Sequence, residues 1–120
     1  MILHMDTEKL NKVVDLDKKK AFTKHDDGKT QYQHLSPKFI KEMAEITTQG
    51  ALKYGGGNYL KGDEKALMRI YDALMRHLQA WCSGEEVDVE SGKSHLSHVA
   101  CNAMMIYALE HKLKLTGEKS

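Results

Sequence analysis

The chain has 120 residues, a length that suits one domain, and its 18 basic and 17 acidic residues balance to a net charge of +1. That balance excludes the broad polycationic face of a nucleic-acid binder, and no apolar run approaches the roughly 18 residues of a membrane span. Cys82 and Cys101 stand alone without CxxC spacing, which excludes a disulfide framework or a thiolate zinc site and fits a reducing compartment.

One proline, few aromatics and many Leu, Met, Ala, Lys and Glu predict an all-α fold. "MILHM" is too short for a signal peptide, so a cytoplasmic protein is expected. Residues 1–35 form a polar arm, in which Leu10, Val13, Val14 and Leu16 suggest a short element and Asp26-Asp27-Gly28 marks a turn. Ser36-Pro37 opens the first helix, over about 37–53, with Phe39, Ile40, Met43, Ile46, Thr47 and Gly50 along its apolar side. Three glycines in "YGGGN" then break the chain.

The second helix is predicted over 63–82, with a stripe of Leu67, Ile70, Tyr71, Leu74, Leu78 and Trp81 and a stop at Ser83-Gly84. "GEEVDVESGK" is an acidic connector whose Asp88 and Glu90 suit the positive end of the following helix dipole. The third helix is predicted over 94–113, and residues 114–120 are expected to fray. Residues 36–113 thus make the helical core of a single domain. Three amphipathic helices bury too little in one chain, so a homodimer or larger assembly is expected to complete the bundle.

Several groups on these helices can carry chemistry. Glu42 and Glu45 lie one turn apart, and with Gln49 and Lys53 they fall within about an 80° arc bordering the apolar side. Such a pair suits a hard cation, Mg2+ with Mn2+ as its substitute, which takes oxygen ligands and retains waters and phosphates. A solvated helix flank is the plainer account. Arg69, Asp72 and Arg76 form either an exposed charge ladder or a metal carboxylate between two phosphate-gripping arginines. His77, at the edge of its stripe, is expected as a half-buried histidine held by hydrogen bonds. His95, His98 and Asn102 fall within about 60° of each other, on a line continued by Ile106 and Leu109. A face polar at one end and apolar at the other is the wall expected of a cleft. His-x-x-His alone lacks the further ligand that zinc requires, so the trio is expected to face substrate. No GxxxxGK[ST], GxSxG or HExxH motif is present.

Taken together, "KHDDGKTQYQHLSP", "EITTQGALKYGGGNYLKG" and "RIYDALMRHLQAWCSGEEVDVESGKSHLSHVACNAM" resemble the phage and prophage dATP/dGTP diphosphohydrolase-like family, which is similar in turn to the all-α MazG-like pyrophosphatases. The resemblance runs from about Phe22 to Leu109 and rests on KYGxxN, RHLxAW and D-x-ESG-x-x-HLxH-x-x-x-N. It implies a phage-encoded, oligomeric enzyme of the host cytoplasm that cleaves a purine (deoxy)nucleoside triphosphate between its α and β phosphates with Mg2+. MazG-like enzymes hold metal on Glu-x-x-Glu and Glu-x-x-Asp. Glu42 and Glu45 match the first, whereas Glu85/Asp88 have the second spacing in a loop and Asp72 has Arg69 where a glutamate is expected. Tyr59 stands where the family pattern has tryptophan.

The resemblance therefore implies catalytic roles for Glu42, Glu45, Asp72 and Asp88, with Glu90 as a further metal ligand. Lys29, Lys53, Arg69 and Arg76 are the expected phosphate partners, and Tyr54, Asn58, His95, His98 and Asn102 the expected nucleoside contacts. Phosphoanhydride cleavage needs charge neutralisation and positioning more than covalent chemistry, which these residue types supply. The alternative is a non-catalytic nucleotide-binding protein, a sponge for a nucleotide or signalling nucleotide. A helical oligomerisation module is the third reading. Expected partners are a nucleotide and further copies of the chain, with neither nucleic acid nor membrane.

Overall fold

The computed structural model describes residues 21–117, so the element expected around Leu10–Leu16 lies outside the described residues. The chain divides into two compact units between Ser36 and Pro37. In the first, Gly28 takes a left-handed φ of 79° and Lys29 N–H closes the expected turn on the Asp26 carbonyl at 3.0 Å. A single 3-10 turn, Tyr32–His34, follows, with His34 Nε2 2.6 Å from Gln31 Oε1.

The second unit contains α1 (Pro37–Tyr54), α2 (Glu64–Cys82) and α3 (His95–Thr116). No strand occurs among the described residues; the nearest approach is an isolated antiparallel bridge between Val87 and Ser94. The all-α expectation and the three helices are confirmed, with starts within one residue of those predicted.

Local signals explain these boundaries. Gly55 and Gly57 adopt φ of 91° and 68°, a backbone that only glycine takes at little cost, and stop α1. The chain then makes a 3-10 turn, Asn58–Lys61, before Asp63 accepts the Ala66 N–H at 3.0 Å and caps α2. Ser94 caps α3 by accepting the Leu96 N–H. The end of α3 differs from expectation, because residues 114–116 remain helical instead of fraying. Fully buried Leu113 anchors that turn, the Thr116 hydroxyl bonds the Lys112 carbonyl, and Gly117 closes it at φ 73° with its N–H on the Leu113 carbonyl.

Helix α3 is the centre of the unit. It packs extensively on α2 and less extensively on α1. Every buried residue of the three helices lies on α3: His95, Ser97, Cys101, Asn102, Leu109 and Leu113. At 100° per residue, Ser97 and Cys101 fall roughly 120° around the helix from His95, Leu109 and Leu113. The first side meets α1, where Ser97 bonds Glu42 and the Cys101 thiol donates to the Met43 carbonyl. On α2, Leu67, Ile70, Leu74 and Leu78 turn inward as expected, but Tyr71 and Trp81 stay on the rim, 42% and 43% exposed, while Ala73 and His77 take inward places.

Candidate functional site

Two constellations stand out around α3. The first is an open cleft of about 890 Å³, lined by Tyr54, the Asn58–Gly62 segment through Asn58, Tyr59, Lys61 and Gly62, the α2 residues Ala66, Arg69, Ile70, Asp72, Ala73 and Arg76, and Asn102 of α3. The triple-glycine turn builds one wall, because its left-handed residues swing Asn58 and Tyr59 back over the start of α2. Gly62 permits the close approach, since a Cβ there would meet the Ala66 Cβ at 2.5 Å.

The cleft carries three cations and one carboxylate among its lining residues: Lys61, Arg69, Arg76 and Asp72. No ion pair joins Asp72 to either arginine among the described residues, so the expected ladder is not closed. Asn102 is only 9% exposed, and among the described residues its amide has no hydrogen-bond partner, which leaves donor and acceptor aimed at the cleft. Tyr54 and Tyr59 offer aromatic faces, and the Lys53 ammonium lies 5.8 Å from the Tyr54 ring centre.

The second constellation is built by the acidic connector. Instead of an open loop, residues 87–94 form a tight hairpin: Asp88 N–H bonds the Lys93 carbonyl at 2.8 Å, and Gly92 N–H bonds the Asp88 carbonyl at 2.8 Å. The Asp88 carboxylate accepts the Ser91 N–H at 2.9 Å, fixing the D-x-x-S-G turn. This hairpin presses Asp88 against three histidines. His77 Nδ1 lies 2.8 Å from His95 Nδ1, the His95 Nε2–H donates to Glu85 at 3.1 Å, and His98 stacks on His77 with ring centres 4.3 Å apart. His98 Nε2 is 2.7 Å from the Ser91 hydroxyl and 3.6 Å from Asp88.

The electrostatics follow from burial and these partners. Desolvation holds both His77 and His98 below the ordinary imidazole value, so both favour the neutral form. Burial opposes the charge on Asp88, but the hydroxyl and N–H of Ser91 and the neighbouring His98 outweigh it, leaving Asp88 below its ordinary value. Glu42 is held low by the Ser97 hydroxyl and the Ser94 N–H, which it accepts at 3.0 and 3.3 Å. Burial pushes the Cys101 thiol up to about 11.

The expected site residues are thus distributed, not gathered. Tyr54, Asn58, Arg69, Asp72, Arg76 and Asn102 share the cleft. His95 and His98 lie on the α3 line with Asn102 but belong to the connector cluster, not to the cleft lining. Glu42 and Glu45 point from α1 to the start of α3, where Glu45 pairs with Lys93 at 3.2 Å. Among the described residues, the ligand atoms of three or more acidic, His or Cys groups come within 4.8 Å of one another at His77, Asp88 and His95. Glu90 is exposed, and Lys29 belongs to the N-terminal unit. Asp72, beside two arginines in a cleft, fits a cation that arrives with phosphates, whereas Glu42 and Glu45 already hold donors. Lys61 was not among the expected site residues, and Glu85, weighed only for its spacing to Asp88, proves to be a partner of His95. His77 is half-buried and hydrogen-bonded at the stripe edge, as expected, and its partner proves to be His95.

Comparison with known proteins gives the chain a family. A family model described as "dATP/dGTP diphosphohydrolase, N-terminal" matches residues 19–119. A dATP/dGTP diphosphohydrolase of Salmonella phage PMBT28 is 31% identical over 86 residues, which cover 72% of this chain and 29% of that relative. The chain therefore matches less than a third of that protein's length. No solved structure matches the chain.

Proposed function

Because the chain belongs to the dATP/dGTP diphosphohydrolase family, whose N-terminal model spans residues 19–119, we propose that it binds a purine deoxynucleoside triphosphate in the α2 cleft and hydrolyses it to the monophosphate and pyrophosphate. The observation that carries this reading is the convergence of Arg69, Arg76, Lys61, Asp72 and the unpartnered Asn102 amide on one cleft. Guanidinium groups grip phosphate oxygens through paired N–H donors and remain charged at every relevant pH. Two of them one to two turns apart on α2 suit a polyphosphate better than a single phosphate. Tyr54 or Tyr59 provides a face for the base, and Asn58 and Asn102 present the amides that read base or sugar edges.

Mg2+ fits here as the companion of the triphosphate, with Asp72 as its protein carboxylate, and would supply charge neutralisation and an acidified water. The chain's own residues then orient the anhydride. Lys61 and the arginines hold the outgoing phosphates, while the wall of Ile70 and Ala73 limits water on one side. The functional unit is proposed to be at least a dimer, because α1 and α2 have no fully buried residue in the single chain.

Pyrophosphate release from a dNTP panel with Mg2+ tests this directly. Turnover of dATP or dGTP is expected, and Arg76→Ala or Asp72→Asn should lower it by about 100-fold, the usual scale for losing one charge-stabilising group. No turnover of any nucleotide removes the catalytic reading. One observation favours the binding-only alternative: in the family-like acidic pair, Glu42 is engaged at the start of α3 and Glu45 with Lys93 of the connector. Calorimetry showing metal-independent nucleotide binding without product would select that alternative.

A further inference from the structure

We propose that His77, Asp88 and His95 form a binding site for a single borderline transition-metal cation, Zn2+ or one of its neighbours, separate from the nucleotide cleft. The three residues come from α2, the connector hairpin and the first turn of α3, and their ligand atoms lie within 4.8 Å of one another. None of them lines the cleft.

The donor set suits such an ion. Two imidazole nitrogens and a carboxylate oxygen are ligands of zinc-like cations, while Mg2+ prefers oxygen alone. The hydrogen-bond pattern also favours it. Glu85 accepts from the His95 Nε2–H, which leaves His95 Nδ1, the nitrogen facing His77, as the atom that would bind a metal. A carboxylate behind a histidine in this way is the usual outer partner of a metal-bound imidazole, fixing its tautomer and raising its basicity. His77 Nδ1 faces the same point at 2.8 Å. The two nitrogens lie within hydrogen-bond distance of each other. A tetrahedral ion with bonds of about 2.0–2.1 Å would need them to part only slightly.

The remaining neighbours hold the site in shape. His98 stacks flat against His77 at an interplanar angle of 5°, and its Nε2 approaches Asp88 at 3.6 Å, so it braces both ligands. Ser91 fixes the Asp88 carboxylate through its N–H. His95 is 4% exposed, so the ion would sit at the edge of the core with a fourth position for water. Its structural consequence is a clamp joining the connector to α2 and α3.

Untagged, EDTA-treated chain titrated with Co2+ tests the site with no nucleotide present, so its outcome is independent of the cleft reading. One equivalent of Co2+ should give the intense visible bands of a tetrahedral site, be displaced by Zn2+ and be indifferent to excess Mg2+. His95→Ala and His77→Ala should abolish the bands, and Glu85→Gln should weaken binding by about 10–100-fold, the scale for an outer partner. His111→Ala should change nothing. If either alanine variant unfolds, imidazole 15N shifts of the wild-type chain decide: Zn2+ must move His77 and His95. Absence of cobalt bands, bands that survive in folded His95→Ala, or unmoved His77 and His95 resonances would overturn the proposal.

Discussion

Glu42 reaches from α1 to the first turn of α3, where it accepts the Ser97 hydroxyl and the Ser94 N–H. Its negative charge meets the positive end of the α3 dipole as well as two donors, so the ionised form is favoured in the fold. A carboxylate whose pKa is lowered by folding adds stability above its ordinary value, here 4.5, and loses it as pH falls through the lower folded value. Glu42→Gln should therefore lower Tm at pH 7, and the gap from wild type should close as pH falls below 4.5. A gap that stays constant to low pH would remove the ionised-cap reading. The cysteines divide in the same residue-level way. Cys101 is 1% exposed with its thiol pushed up to about 11, and Cys82 is exposed. Native chain should react with a thiol reagent at Cys82 alone, with Cys101 labelled only on unfolding.

Within the elements, glycine positions decide the site's shape. Gly62 joins the 3-10 turn to the α2 cap, and an added Cβ would lie 2.5 Å from the Ala66 Cβ and 3.2 Å from the Tyr59 carbonyl oxygen. Both obstacles are short-range and one is backbone, so neither moves cheaply. Gly62→Ala should cost about 1–3 kcal/mol in urea unfolding, the range for overpacking, and should weaken nucleotide binding by displacing Tyr59. Unchanged stability would show that the turn can shift. The helices themselves were legible in residue order: Ser36-Pro37, Asp63 and Ser94 as starts, Gly55 and Ser83-Gly84 as stops. The last turn of α3 was not, because Lys114-Leu115-Thr116 carries no helix signal of its own until Leu113 is seen to be buried. The hairpin over 87–94 was equally hidden. Its composition is that of a solvated acidic loop, and only the Asp88–Lys93 and Asp88–Gly92 backbone bonds reveal its fold.

At the scale of the whole molecule, fully buried side chains among the described residues occur on α3 alone. Leu109 and Leu113 are fully buried on α3, while Leu52, Met68, Trp81, Tyr107 and Leu115 remain between 43% and 76% exposed. Large apolar side chains left this open on all three helices favour burial against another copy. Light scattering should give a mass of at least two chains, against 13.6 kDa for one. A monomer at micromolar concentration would count against the proposed assembly. Family membership does not depend on that result, since it rests on the match over residues 19–119.

Composition, helix punctuation and ordered motifs determined the all-α class, the helix starts and the family, because each is encoded in residues close together along the chain. Sequence periodicity also placed Arg69, Asp72 and Arg76 on one face and put His95, His98 and Asn102 on another. Only the tertiary structure decided which of these residues meet. Asn102 joins the arginines because the triple-glycine turn folds beside α2, and His95 joins His77 because α3 packs there. Those partners are 18 or more residues apart in sequence, and helical phase within one element says nothing about the register between two. The opposite roles of neighbouring polar residues on α3 come from that packing: at Asn102 the helix faces a cleft, and at His95 it faces a hairpin that covers it.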